Sequence, residues 1–137
     1  ASPEEYYNPL NSSLVYVIEQ KRGIPISLAC VYILVGYRLD LEIEGINLPG
    51  HFLAKCMSSG RPHVVDCFNG GHFLSQKDLA SVQTPTPISM HDVLSLECKS
   101  STIIGRVLRN LKSAYQQVKQ DADLTLMNDL LTSTPDT

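Results

Sequence analysis

The sequence lacks the features that mark several large classes of protein. It has no tryptophan and no cluster of lysine and arginine, and its formal net charge is −3. Because phosphate contacts require clustered basic side chains, nucleic-acid binding is not expected to be its main role. The longest apolar run, Leu28 to Gly36, is too short for a membrane-spanning helix, so no membrane partner is predicted.

The four cysteines show no CxxC spacing. Cys56 and Cys67 lie on neighbouring predicted strands, but an offset of about four residues separates them by roughly 13 Å, too far for a disulfide. His63 shares a strand face with these two thiols, yet the spacing matches no metal motif. We therefore expect reduced thiols, no metal and no cofactor. Reduced thiols favour a cytoplasmic location, and the N-terminus shows no signal-peptide pattern.

The chain does have the composition of a folded domain. It contains 137 residues, of which 43% are hydrophobic, enough to build one core. Asn11 or Ser12 is predicted to cap a first helix that runs to about Arg22, with Gly23 as its stop. Pro25 suits the first turn of a second helix over about 25–38, and this helix is apolar nearly all round. Such a pattern is typical of a central, buried helix.

The pattern changes to strands after Asp40. Residues 51–57 and 63–68 are predicted to form a hairpin around a Ser-Gly tip. Short helices are predicted near 76–82 and, with Ser89 as cap, near 89–96. Helical spacing returns in the tail, which predicts two C-terminal helices ended by Pro135. These elements give an α+β core over residues 1–100 and a helical hairpin over residues 101–137.

His51 and Asp66 are the most informative polar residues of the predicted hairpin. A two-residue loop places Asp66 on the face of His51 at diagonal distance, and a four-residue loop places it directly opposite. A three-residue loop would separate them. On one face, the carboxylate could accept a hydrogen bond from the imidazole and orient it towards a nucleophile. A structural hydrogen bond between the two is the alternative to a catalytic one.

Four segments carry a resemblance to a known family: RGIPISL with the apolar helix after it, EGINLPGHFL, VDCFNGGHFLS and RVLRNLK. Together with NSSLVYVIEQKRGIPIS they resemble the SirB family of bacterial transglutaminase-like proteins, and a related domain occurs in some F-box proteins. The resemblance spans roughly residues 6–131. It implies a transglutaminase- or papain-like core, with the central helix packed on a small antiparallel sheet, followed by tetratricopeptide-like helices.

The resemblance assigns His51 and Asp66 to the His and Asp of the superfamily triad. The nucleophile position falls between Pro25 and Ser27, where the superfamily has cysteine and this chain has none. Ser27 is the closest substitute, and Cys30 lies one turn further on. For both, burial or packing in the helix is the structural alternative. The chain also departs from the family at Cys67, usually Pro, and at Asp40, usually Gly.

Two functions follow from these residues. The first is a non-catalytic module that binds a protein or peptide partner, in which His51, Asp66 and Ser27 are a vestigial site. The second is a hydrolase or acyltransferase with His51 as base, Asp66 as its orienting group and Ser27 or Cys30 as nucleophile. The missing cysteine favours the first. The non-catalytic module also predicts that His51→Ala would destabilise the fold, because Asp66 would be left unpaired.

Overall fold

The computed structural model describes residues 3–119 and 121–134. Its helices are α1 (Pro3–Tyr6), α2 (Leu14–Gln20), α3 (Pro25–Arg38), α4 (Gln76–Leu79), α5 (Met90–Ser95), α6 (Ser100–Val118) and α7 (Asp121–Ser133), with a 3₁₀ turn at Pro9–Ser12. Its strands are β1 (Ile43–Leu48), β2 (His51–Ser58), β3 (Arg61–Asp66) and β4 (His72–Phe73). The helices and strands confirm the predicted α+β class.

The strands form one four-stranded sheet in the order β1-β2-β3-β4, with every neighbouring pair antiparallel. Ser58 pairs with Arg61, so Ser59 and Gly60 make a two-residue loop. Both loop residues have positive φ, 52° and 72°, as a tight hairpin turn that follows the strand twist requires. The two-residue alternative for this loop is therefore confirmed.

Each face of the sheet is covered by different helices. Phe52 is fully buried on the face of α3, in a cluster with Ile24, Ile26 and Ala29 against which Ile103 and Val107 of α6 pack. The next residue along β2, Leu53, points to the opposite face because side chains alternate along a strand. There it packs with residues of the sheet, α4 and α5: Ile46, Leu48, Val64, Leu79 and Val93.

Helix α3 has the predicted bounds but not the predicted burial. Pro25 occupies its first turn, and the N–H of Leu28 donates to the carbonyl of Ile24 over 3.1 Å. Tyr37 is 79% exposed, and Leu34 and Val35 are about half exposed. The prediction of a helix buried all round is therefore wrong for its second half. The sheet packs against one side of α3, and no described element covers the other side of that half.

The exit from α3 explains one departure from the family pattern. Asp40 has a φ of 54°, in the left-handed region that glycine adopts most easily. Aspartate tolerates this region better than most residues, so Asp40 can replace the usual glycine. The chain continues with the N–H of Leu41 donating to the carbonyl of Gly36 over 2.9 Å. The substitution keeps the helix exit and does not reach the site.

The N-terminal arm differs from its prediction in detail. Helix α2 is capped by Ser13, whose hydroxyl accepts from the N–H of Tyr16, not by Asn11 or Ser12. Asn11 is buried, and its amide donates to the carbonyls of the preceding α1 segment. The helix ends at Gln20, and Lys21, in a left-handed conformation, is its C-cap two residues before Gly23. A polar side chain near a helix start predicts a cap but does not fix which residue takes it.

The later helices follow the predictions more closely. Ser89 caps α5 as predicted, and α4 ends at Leu79, three residues earlier than expected. Helices α6 and α7 pack together as the predicted helical hairpin, and α6 also contacts α3 and β1. Pro135 lies outside the described residues. Within the described ranges, no helix combines the length and apolarity that a membrane span needs.

Candidate functional site

His51 begins β2 immediately after a tight turn. Pro49 and Gly50 form this turn, Gly50 has a φ of 75°, and Leu48 pairs with His51 across it. The imidazole is partly exposed. It shares the face of Leu53 because the two residues are two apart on one strand. His51 therefore projects from the α4–α5 side of the sheet, away from α3.

Asp66 ends β3 on the same face as His51. This placement agrees with the predicted shared face, since Ala54 pairs with Val65 and Asp66 follows. Asp66 is only 6% exposed. Its carboxylate accepts from the backbone N–H groups of Phe68 and Asn69, each over 3.0 Å, and from the Asn69 amide over 2.7 Å. Its acceptor capacity thus stabilises the turn after β3.

The predicted hydrogen bond between His51 and Asp66 is not formed. Within the described part of the chain, neither imidazole nitrogen of His51 makes a hydrogen bond, and Asp66 is satisfied by the turn. The turn after β3 instead places the N–H groups of Phe68 and Asn69 3.0 Å from the carboxylate. The prediction that His51→Ala leaves Asp66 unpaired therefore fails.

Ser27 is sealed inside the first turn of α3. It is 2% exposed, and its hydroxyl donates to the carbonyl of Ile24 over 2.9 Å. A Cβ added to Gly23 would come within 2.6 Å of the Ser27 oxygen and 2.9 Å of a Val17 methyl, so the hydroxyl faces α2. Since α3 packs on the sheet face opposite His51, the structure does not bring Ser27 and His51 together. The structural alternative for Ser27 is the one observed.

The four cysteines are all free thiols. Burial raises the pKa of the Cys30 thiol, and it raises that of Cys67 to about 11. Cys67 packs into the core on the α3 face, opposite to Asp66, as predicted. No group of three or more metal-ligating side chains occurs among the described residues, so Cys56, Cys67 and His63 form no such group.

A cleft of about 480 Å³ opens beside His51. Its walls combine aromatic, aliphatic and hydrogen-bonding side chains, contributed by His51, Asp66, Asn69, His72, Phe73, Leu74, Asp78, Ser81 and Val82. Two carboxylates and two imidazoles thus line it, without a lysine or arginine in its walls. Neither Ser27 nor Cys30 contributes to it. Its two carboxylates favour positive charge in the cleft.

His72 and Asp78 are cleft residues that the sequence reasoning missed. His72 is exposed, and β4 returns beside β3 and pairs it with Asp66. The Ser75 hydroxyl and N–H hold the pKa of Asp78 below its usual value, and the nearby Lys77 and His72 act in the same direction. The turn at Asn69-Gly70-Gly71 was the available signal, because a tight turn returns the chain along the strand before it.

Comparison with known proteins agrees with this architecture. The sequence model of the transglutaminase-like superfamily matches residues 1–109. The chain belongs to the transglutaminase-like superfamily. No solved structure was found to match it.

The curated relatives are similar over most of this chain. A UPF0162 protein of Xylella fastidiosa (strain Temecula1) is 37% identical over 119 residues, covering 82% of this chain and 42% of the relative. A UPF0162 protein of Vibrio cholerae is 33% identical, covering 97% and 51%. F-box only protein 21 of Mus musculus is 27% identical, covering 93% and 21%. The chain therefore spans about half the length, or less, of these relatives.

Proposed function

We propose that this transglutaminase-like domain is a non-catalytic, SirB-type module that binds a protein or peptide partner in the cleft beside His51. The burial of Ser27 is the observation that carries the proposal. Its hydroxyl is bonded to the Ile24 carbonyl and faces Gly23 and Val17 instead of the cleft. A serine needs an adjacent base to become nucleophilic, and none of the described residues supplies a base that hydrogen-bonds to Ser27. No observation on the described residues favours the hydrolase or acyltransferase alternative.

The charges of the cleft support a particular kind of partner. Asp66 and Asp78 line it, and its walls contain no lysine or arginine. Phe73, Leu74 and Val82 supply apolar contact area beside these carboxylates. Pockets of this composition recognise a side chain with an apolar stem and a polar end. The proposed ligand is a peptide segment that presents a lysine or arginine side chain.

The remaining features of the proposal concern the setting of the domain. Helices α6 and α7 would begin a tetratricopeptide-like tail, in keeping with their helical hairpin and with relatives about twice as long as this chain. The four free thiols favour a reducing, cytoplasmic environment.

Peptide selection tests the binding part of the proposal. A displayed library of random peptides would be selected on the wild-type domain and rebound to His51→Ala, with His91→Ala as the control. The side chain of His91 is 93% exposed on α5, outside the cleft. We expect peptides rich in lysine or arginine that lose binding only with His51→Ala. Selected peptides that bind all three proteins equally would contradict a site in this cleft.

Acylating probes test the non-catalytic part. Serine- and thiol-directed probes would be incubated with the wild type, His51→Ala and Ser27→Ala, and labelling would be located by mass spectrometry. We expect no labelling that depends on His51. Labelling at Ser27 or Cys30 that is lost in His51→Ala would establish the hydrolase or acyltransferase function instead.

A further inference from the structure

Arg106 of helix α6 reaches the tip of the β1–β2 hairpin. Its guanidinium donates from Nη1 to the side-chain oxygen of Asn47 and, over 2.7 Å, to the carbonyl oxygen of Leu48. Its Cζ lies 5.5 Å from the centroid of the Phe52 ring. A planar guanidinium can bond in its plane and stack through its face at once. Arg106 therefore makes three contacts with one short segment.

These three contacts surround the turn that presents His51. Asn47 pairs with Phe52, and Leu48 pairs with His51. Arg106 thus touches both strands of the tip, from the face covered by α3 and α6. His51 projects from the opposite face of the same tip because it neighbours Phe52 along the strand.

The Arg106 side chain makes its main contacts with this hairpin tip. It is partly buried, and the burial lowers its pKa, although the group remains cationic. Tyr6 and Cys98 lie near enough to favour its charge, and Arg109 opposes it. No carboxylate forms an ion pair with Arg106 among the described residues. The oxygens of Asn47 and Leu48 and the ring of Phe52 are therefore its main partners.

The turn itself has few other anchors. Pro49 and Gly50 are exposed, and the nearest outside atom to a Cβ built on Gly50 would be the Gln83 carbonyl oxygen, 4.0 Å away. Within the described ranges, Arg106 makes every side-chain hydrogen bond that residues 47–51 receive. Leu48 and Phe52 are held by the core, so the loss of Arg106 is expected to release the tip without unfolding the sheet.

We propose that Arg106 is a positioning residue for the cleft. It fixes the hairpin tip that carries His51, so that the attachment of α6 to the sheet sets the geometry of the cleft wall. The role of the cleft in ligand binding rests on the proposed function. The positioning of His51 by Arg106 does not, and it can be measured without a ligand.

Histidine NMR tests the positioning directly. The chain has four histidines, and ¹³Cε1 labelling would report on each ring separately. We expect Arg106→Ala to shift or broaden the His51 signal. His63, stacked on Phe73 with ring centroids 4.6 Å apart, and the exposed His91 should keep their signals. Arg106→Lys, which keeps the charge but loses the fork, should restore the His51 signal in part.

Two further variants separate positioning from a general loss of structure. Arg109→Ala removes an exposed arginine of the same helix and should leave all four histidine signals in place. Asn47→Ala removes one of the two acceptors from the sheet side and should displace His51 in the same direction as Arg106→Ala. If Arg106→Ala does not fold, Asn47→Ala provides the test of the positioning role in its place.

The outcomes test the positioning role of Arg106 separately from the proposed binding function. A His51 signal that superimposes on the wild type in folded Arg106→Ala and Asn47→Ala overturns the positioning role, even if peptides bind the cleft. Equal shifts of all four histidines also overturn it, since they indicate a global change. Displacement of His51 in a protein that selects no peptide supports the positioning and contradicts the binding function alone.

Discussion

At the scale of single residues, Asp66 and His51 share a face of the sheet but contribute differently to stability. Asp66 is nearly buried and accepts three hydrogen bonds within its own turn. His51 is partly exposed at the rim of the cleft, and its imidazole makes no hydrogen bond with the described residues. Their proximity therefore reflects the register of β2 and β3 and not an interaction between them.

This difference predicts unequal effects of removing each side chain. Asp66→Ala leaves the partly buried N–H groups of Phe68 and Asn69 without their charged acceptor. It is expected to lower the free energy of unfolding by about 1–3 kcal/mol. His51→Ala should change it by only about 0.5 kcal/mol, as is usual for exposed positions without special contacts. Urea unfolding of the two variants measures this. Equal losses would indicate that His51 and Asp66 do interact.

Cys67 predicts a pH dependence of thiol reactivity. Burial, then the charge of Asp66, raises its pKa from 9.0 to about 11. The raised pKa favours the neutral thiol. Its contribution to stability is therefore complete below pH 9 and lost as the pH rises through about 11. Alkylation of Cys67 by iodoacetamide should be slow at pH 8 and accelerate towards pH 11. Mass spectrometry of the modified protein over time measures the rate. A reaction rate that levels off below pH 9 would contradict the shift.

At the scale of secondary-structure elements, Gly36 fixes how closely α3 approaches β1. A Cβ at this position would lie 2.8 Å from Cγ1 of Ile43, which is closer than real Cβ atoms come. The glycine is buried within the helix, and its lack of a side chain allows the contact. The exposed aromatic and aliphatic residues around Gly36 do not contribute to this contact between α3 and β1.

Gly36→Ala should therefore destabilise the domain although alanine is the better helix former. The clash is expected to cost about 1–3 kcal/mol, as overpacking usually does, against a gain of up to about 1 kcal/mol from helix propensity. Ile43→Val removes the nearest methyl group, so Gly36→Ala combined with Ile43→Val should lose less stability than the sum of the single variants. Thermal and urea unfolding measure the cycle. If the losses of stability from the two single variants were additive, the cost of Gly36→Ala would not come from a clash with Ile43.

The elements also show what their sequence can predict. Pro25 predicted the start of α3, and the Ser-Gly tip predicted the hairpin, because each acts through local backbone geometry. The sequence left the loop length open, and the pairing of Ser58 with Arg61 decided it. The exposure of Leu34, Val35 and Tyr37 could not be predicted in this way, since an apolar pattern does not say which neighbours are present to cover it. Arg106 was unpredictable for a similar reason, because its partners on β1 are distant in sequence.

At the scale of the whole molecule, the sheet separates the two halves of the predicted site. Strand alternation predicts that His51 and Asp66 share a face, but it does not predict which face α3 covers. The helix packs against the face of Phe52, so its N-terminus and the His51 cleft lie on opposite sides. The residues of the candidate triad therefore lie on opposite sides of the sheet. Local sequence patterns do not predict this, because they do not show which face α3 packs against.

Burial is also uneven across the molecule. Phe52, Leu53 and Ala54 of β2 are fully buried, whereas Met127 is the buried hydrophobic residue of α7 among those described. Helix α7 packs chiefly against α6. Segments with few buried contacts open at a lower free energy than the core.

Hydrogen exchange should reveal this difference. Amides of residues 121–133 are expected to exchange faster than those of β2 and β3, with α6 between them, because opening α7 exposes little of the core. Mass spectrometry of peptides from the three segments measures the order. Protection of α7 equal to that of β2 would show that the C-terminal helices and the sheet open as one cooperative unit.

The contact between Ser27 and Gly23 bears on how such a domain could gain or lose chemistry through mutation. Replacing the oxygen of Ser27 by sulfur takes one substitution, Ser27→Cys, and restores the residue type of the superfamily nucleophile. The larger sulfur would still lie beneath Gly23 and Val17, on the side of the sheet away from His51. Bringing this sulfur to His51 would require a different course of the chain at the start of α3.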